Sequence, residues 1–98
     1  MTVIATLKVQ AGSEAAFQQA ADKMIAHVKA HEPGTLTYVL NRSRSDPTEF
    51  AFYEVYADEA AFTAHGASAA MQEFFGAVGT LLDGQPVIKT YEEVAGKK

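Results

Sequence analysis

The 98-residue sequence predicts an α+β fold: a ferredoxin-like chain of order β-α-β-β-α-α-β, with a four-stranded antiparallel sheet and the helices on one of its faces. Three observations predict it. Apolar residues alternate at period two near both ends of the chain and in two central runs. Between these runs they recur at helical spacing. SEAAF at 13–17 is nearly repeated as DEAAF at 58–62, each copy opening the helix of its own half. Two helices using the same capping chemistry would give the same echo, and the element order does not depend on it.

The first strand is MTVIATLKVQ, in which Val3, Ala5, Leu7 and Val9 alternate with Thr2, Ile4, Thr6 and Lys8. Ala11-Gly12 breaks it, and Ser13 is placed as an N-cap with Glu14 in the first turn. Phe17, Ala20, Ala21, Met24 and Val28 then form the apolar face of one long helix. Pro33 disfavours helical geometry at Glu32, so this helix ends near His31, and Gly34 completes a turn. Leu36 to Arg42 reads as a second strand with Leu36, Tyr38 and Leu40 on one face, and the polar run Ser43 to Pro47 as a hairpin connection.

Phe50 to Tyr56 is the third strand. Phe50, Phe52, Glu54 and Tyr56 lie on one face and Ala51, Tyr53 and Val55 on the other, so both faces carry bulky apolar groups. Helices of the same chain cover only one of them. A second subunit is the simplest cover for the other, and a homodimer is expected.

Asp58 caps a short helix closed by His65-Gly66, and Ser68 caps another whose apolar face is Met71, Phe74, Phe75 and Val78, running on towards Leu81 and Leu82. Asp83-Gly84 is a turn, and Pro86 to Glu93 makes the last strand through Val87, Ile88 and Tyr91. Residues 1–94 are expected to form a single domain, with 95–98 a frayed tail.

Composition narrows the function classes. A hydrophobic share of 48% and a charged share of 20% describe an ordinary globular protein. The net charge of −4, with eight scattered basic residues, argues against nucleic acid as a partner. With no cysteine there is no disulfide, thiol nucleophile or thiolate metal site. The N-terminus lacks the basic and apolar regions of a signal peptide, and no apolar run approaches the roughly 18 residues of a membrane span. A cytoplasmic location and no membrane partner are the expectation.

Few residues can carry chemistry. His65 lies three residues after Phe62 and four after Ala61, at the edge of the apolar face of its helix. That position suits a histidine packed at a helix C-terminus and also a general base lining a pocket; spacing alone favours packing. His27 and His31 are four apart on a helix, a spacing that metals accept, yet no third ligand accompanies them and no metal site is expected. Glu54 sits in an apolar strand face, where a carboxylate needs a partner. Arg42 or Arg44 on the hairpin would supply an ion pair, and an unpaired Glu54 is a secondary candidate base. Tyr56, at a strand end nine residues before His65, is the tyrosine best placed to share its cleft. The glycines lack the spacing of phosphate-binding loops.

HEPGTLTYVL (31–40), DPTEFAFYEVYADEAAFTAH (46–65) and LLDGQPVIKTYEEV (81–94) resemble the antibiotic biosynthesis monooxygenase family over nearly the whole chain. The features that carry the resemblance are the EPG turn, the strand ending in YE-x-[WY], the helix D-E-A-[FL]-x-x-H and the LLDG-P turn. The resemblance implies a protomer that dimerises by its sheets into an α+β barrel. It also implies a choice of chemistries: oxidation of aromatic polyketides or quinols by O2 without metal, flavin or haem, degradation of haem, or isomerisation of a phosphorylated small molecule. The haem-degrading branch would carry a Trp about where His65 stands, an axial His about where Phe75 stands and an Asn near Ala5, and none is present. The Trp–Asn pair of the polyketide-oxidising members is missing too, whereas the isomerase-like branch shares a Tyr near Tyr56 and a His at His65.

The expectation is a dimeric enzyme, without cofactor, that oxidises a quinol or anthrone-like phenol. His65 would be the base and Tyr56 a hydrogen-bond donor to the substrate oxyanion. The pocket would be lined by Leu7, Phe17, Met24, Phe62, Met71 and Phe75. Two alternatives stand beside it: an isomerase of a small carbonyl compound using the same His65 and Tyr56, and a non-catalytic barrel that binds a small hydrophobic ligand or serves a stress role.

Overall fold

A computed structural model describes residues 1–98. Strand β1 (Thr2–Lys8) pairs antiparallel with β3 (Glu49–Tyr56) on one side and β4 (Val87–Tyr91) on the other, and β2 (Thr35–Arg42) lies beyond β3. The sheet order is thus β2-β3-β1-β4, antiparallel throughout. Helices α1 (Glu14–His31), α2 (Glu59–Gly66) and α3 (Ala69–Val78) cover one face, in the predicted β-α-β-β-α-α-β order. No helix is long and apolar enough to cross a membrane.

Alternation along β1 and β3 creates the core. Val3, Ala5 and Leu7 turn inward on the face of Phe50 and Phe52, and Ala5 and Leu7 join Phe17, Ala21, Met24 and Val28 of α1 and Phe74 and Val78 of α3 in the core. Phe17 is fully buried, its ring 4.7 Å from Phe50 and 6.0 Å from Phe74. Each such side chain contributes about 1.5–3 kcal/mol by leaving water.

Local signals hold with some exceptions. The Asp58 side chain accepts from Ala61 N at 2.8 Å and that of Ser68 from Met71 N at 3.1 Å, both as N-caps. Ser13 occupies the N-cap position of α1 but makes no side-chain cap bond. Instead Glu14 reaches back to Gly12 N, and Gly12 has φ +95°, a conformation that only glycine adopts cheaply. Strand β2 is bulged between Thr35 and Thr37. The extra residue breaks the alternation, leaving Leu36 62% exposed while Tyr38 and Leu40 pack on the core.

The other face of the sheet carries no helix. Ile4, Val39, Tyr53, Val87 and Tyr91 are exposed there. Ile4 lies opposite Tyr53 on β3, and Tyr53 opposite Val39 on β2, which makes a continuous apolar strip across the sheet.

Candidate active site

Between the sheet and helices α2 and α3 lies a pocket of about 380 Å³, walled mainly by apolar side chains. Its floor is β1 (Val3, Ala5, Leu7) with Phe52, and its helical wall is Phe62, Met71, Phe74 and Phe75. Pro86 and Ile88 form the rim where the chain enters β4. Its polar groups are Tyr38, Glu54, His65 and Gln72. An apolar concavity with a few convergent polar groups is the usual build of a small-molecule site.

His65 is the best-placed reactive group. The cap at Asp58 starts α2, the helix ends at Gly66, and Ser68 Oγ donates to the His65 carbonyl at 2.8 Å. The side chain is thereby turned inward, and only 3% of the residue is exposed. Its Nδ1 lies 2.7 Å from Oε1 of Glu32, which also accepts from Thr35 Oγ1 at 2.8 Å. A carboxylate only accepts, so Nδ1 carries the hydrogen, and in the neutral ring Nε2 keeps the lone pair. Nε2 is buried without a hydrogen-bond partner. A carboxylate fixing one ring nitrogen so that the other can take a proton is the arrangement of a histidine general base.

Glu32 is placed by its own backbone. Its N–H closes the last turn of α1 onto Val28 O at 3.0 Å, and its carbonyl accepts from Thr35 N at 3.1 Å across the Pro33-Gly34 turn. The carboxylate is left directed at α2. In the sequence, Glu32 is legible only as a helix end. Its one signal was an acidic residue immediately before Pro-Gly, and nothing in the spacing links it to a histidine 33 positions on.

Glu54 is buried on the same face, and Tyr56 OH donates to its Oε1 at 2.5 Å. Burial pushes the Glu54 carboxyl above its ordinary range. The Tyr56 hydrogen bond and nearby His65 oppose this, and Glu32 adds to it. The expected partnership with Arg42 is not formed. The β2–β3 register sets Tyr38 opposite Glu54 and Arg42 opposite Phe50, and the Arg42 guanidinium lies over the Phe50 ring at 5.8 Å. Arg44 makes no ion pair with Glu54 either.

Tyr56 is 1% exposed and stands outside the pocket wall, its hydroxyl committed to Glu54. The tyrosine that does line the pocket is Tyr38, whose ring meets His65 edge-on at 5.0 Å. Burial raises the Tyr38 phenol far above its ordinary value, reinforced by the charges of Glu54 and Glu32, so it remains a hydrogen-bond donor. Leu7, Phe62, Met71 and Phe75 stand in the wall. Phe17 and Met24 do not: α1 packs directly on β3 and α3, and closes these two side chains into the core. His27 and His31 hold their rings 5.2 Å apart, and no group of three or more His, Asp or Glu side chains is arranged for a metal ion.

The sequence profile of the family described as antibiotic biosynthesis monooxygenase matches residues 1–77. The chain belongs to the antibiotic biosynthesis monooxygenase family. A crystal structure from Caulobacter crescentus CB15, assigned in name to the antibiotic biosynthesis monooxygenases, shares 36% identity over 96% of this chain and 89% of its own, with a TM-score of 0.92. A Shewanella oneidensis protein shares 31% identity over 92% of this chain and 86% of its own, at a TM-score of 0.84. A Pseudomonas aeruginosa protein has 26% identity, covers 96% and 93%, and reaches 0.86. No curated protein matches the chain. The stretch matched to the family contains Glu32, Tyr38, Glu54 and His65, whereas Pro86 and Ile88 of the rim lie beyond it. Membership in the antibiotic biosynthesis monooxygenase family supports a general role in monooxygenase-type chemistry or small-ligand binding.

Proposed function

We propose that the pocket binds an electron-rich aromatic hydroxyl compound, a quinol or an anthrone-like phenol, and that His65 deprotonates it for oxidation by O2. The observation that carries this reading is the buried, unpartnered Nε2 of His65, with Nδ1 held by Glu32 beside an apolar pocket. Loss of the proton turns the substrate into an anion that hands an electron to O2, so the substrate itself is the reductant. A quinol and O2 then give a hydroxyquinone and water; an anthrone CH2 and O2 give a carbonyl and water. The protein's part is to bind, to take the proton at Nε2 and to keep water from the reacting anion. Tyr38 supports the oxyanion from the pocket wall, the role expected of Tyr56, while Tyr56 holds Glu54.

The helix-free face of the sheet supports a homodimer, since the strip formed by Ile4, Val39 and Tyr53 is larger in character than scattered surface apolar residues. A Tyr53→Asp protein is expected to sediment as a monomer where the wild type sediments as a dimer; a monomeric wild type removes this part of the reading.

The chemistry is tested by O2 uptake with a panel of quinols and anthrones, corrected for autoxidation. Uptake is expected to fall about 10²–10⁴-fold in His65→Ala, the usual share of a general base. Undiminished uptake in that variant removes the mechanism. Product formed without O2 consumption would instead favour an isomerase of a small carbonyl compound.

A further inference from the structure

We propose that His27 is a positioning residue for His65, acting through Glu32: it stands against the second carboxylate oxygen and supplies the positive charge that lets His65 stay neutral. The proposal rests on the reading of His65 as the base. Its starting point is that the two buried side-chain polar atoms without hydrogen-bond partners, His65 Nε2 and Glu32 Oε2, are the outer ends of one hydrogen-bonded pair. The first is carried by a ring that lines the pocket. The second lies 3.2 Å from His27 Nε2, a charge-pair contact without hydrogen-bond geometry.

A buried carboxylate needs an opposite charge close by. Around Glu32, α1 presents His27 and His31, β2 presents Thr35 and Tyr38, β3 presents Glu54 and Tyr56, and α2 presents His65. None of these is Lys or Arg. Lys23 shares a groove with His27, but pairs with Glu73 of α3. The counter-charge to Glu32 must therefore come from an imidazole, and His27 and His65, not His31, lie within 4 Å of its carboxylate. If His65 supplies it, both ring nitrogens carry hydrogen and no lone pair remains to take a substrate proton. If His27 supplies it, His65 keeps Nδ1–H on Glu32 and a free Nε2. The His27 side chain is 31% exposed and borders a second, polar cleft that Glu32 and His65 also line, so its ring reaches water without passing through the apolar pocket.

The test is an NMR titration of the histidine ring signals in the full chain, which needs no turnover and so separates this proposal from the oxidation reading. In His27→Gln, His65 is expected to lose its proton at a pH higher by about half a unit or more than in the wild type, since its ring becomes the sole cation beside Glu32. His27→Lys, which keeps a cation there, restores the wild-type behaviour. In the wild type itself the His65 signal is expected to show a second inflection where His27 titrates. An unchanged titration in His27→Gln, equal shifts in the Gln and Lys variants, or a single wild-type inflection each overturns the proposal. Where oxidation is measurable, the acidic limb of its pH profile moves up in His27→Gln, whereas a purely structural defect lowers the rate at every pH.

Discussion

The Cβ position of Gly34 falls 2.8 Å from Cβ of Ala61, so the turn after α1 and the first turn of α2 meet with no side chain between them. The same glycine accepts from Ala57 N at 2.9 Å. Because Glu32 lies two residues before Gly34 and His65 four after Ala61, this contact sets the distance between the carboxylate and the imidazole it holds. Gly34→Ala inserts a methyl group where none fits and is expected to cost about 1–3 kcal/mol. Urea unfolding checks the cost. The His65 ring signals should also report a weakened bond to Glu32, and a variant as stable as the wild type with unaltered His65 signals would show that the contact is slack.

Glu32→Gln keeps the shape of the holding group and removes its charge. The amide can present a nitrogen to Nδ1, which favours the tautomer with hydrogen on Nε2. Turnover of an active quinol is expected to fall about 10²-fold or more, as when the orienting carboxylate of a histidine base is neutralised. Nitrogen chemical shifts of the His65 ring give the tautomer directly. A tautomer unchanged from the wild type would end the claim that Glu32 fixes it.

Glu54 makes stability depend on pH with a definite sign. Its folded carboxyl is raised, chiefly by burial. Below the ordinary carboxylate value of about 4.3 it is protonated in both folded and unfolded chains, and its contribution is fully present. As the pH rises the unfolded chain ionises first, and stability is lost through the raised folded value. Glu54→Gln has no such titration and retains an acceptor for Tyr56. The wild type is therefore expected to lose stability relative to Glu54→Gln as the pH rises above the ordinary carboxylate value of about 4.3. Parallel stability curves for the two proteins above that value would refute the burial argument.

The two phenylalanines of the SEAAF and DEAAF echo should behave differently. Phe17 is enclosed between Phe50 and Phe74, and truncation to Ala is expected to cost about 3–5 kcal/mol. Phe62 is half-buried, packs on Tyr56 at 5.3 Å and faces the pocket. Its truncation should cost less stability and weaken ligand binding more. Thermal unfolding and titration with a bound quinol measure the two effects, and equal destabilisation by both variants would contradict the division between core and pocket.

Periodicity and punctuation were enough to read the element order, because they are local. Period-two runs can only bury one face of a strand, the caps at Asp58 and Ser68 satisfy the helix ends they begin, and Pro33 stops α1 within a residue of the observed end. His65 was legible as a candidate for the same reason: it sits at helical spacing from Phe62 on an apolar face. Leu7, Met71 and Phe75 were legible as apolar positions of elements that enclose the pocket.

What the chain order could not express is which side chains meet. The bulge at Thr35–Thr37 and the β2–β3 register decide that Tyr38, and neither arginine, faces Glu54. The close seating of α1 decides that Phe17 and Met24 are core. The turn through Pro33 and Gly34 brings Glu32 to His65 across 33 residues of sequence and His27 to the far side of the same carboxylate. Local sequence determines backbone preference and which face is apolar. Pairing a base with its carboxylate depends on register and helix seating, which arise only when the whole core packs.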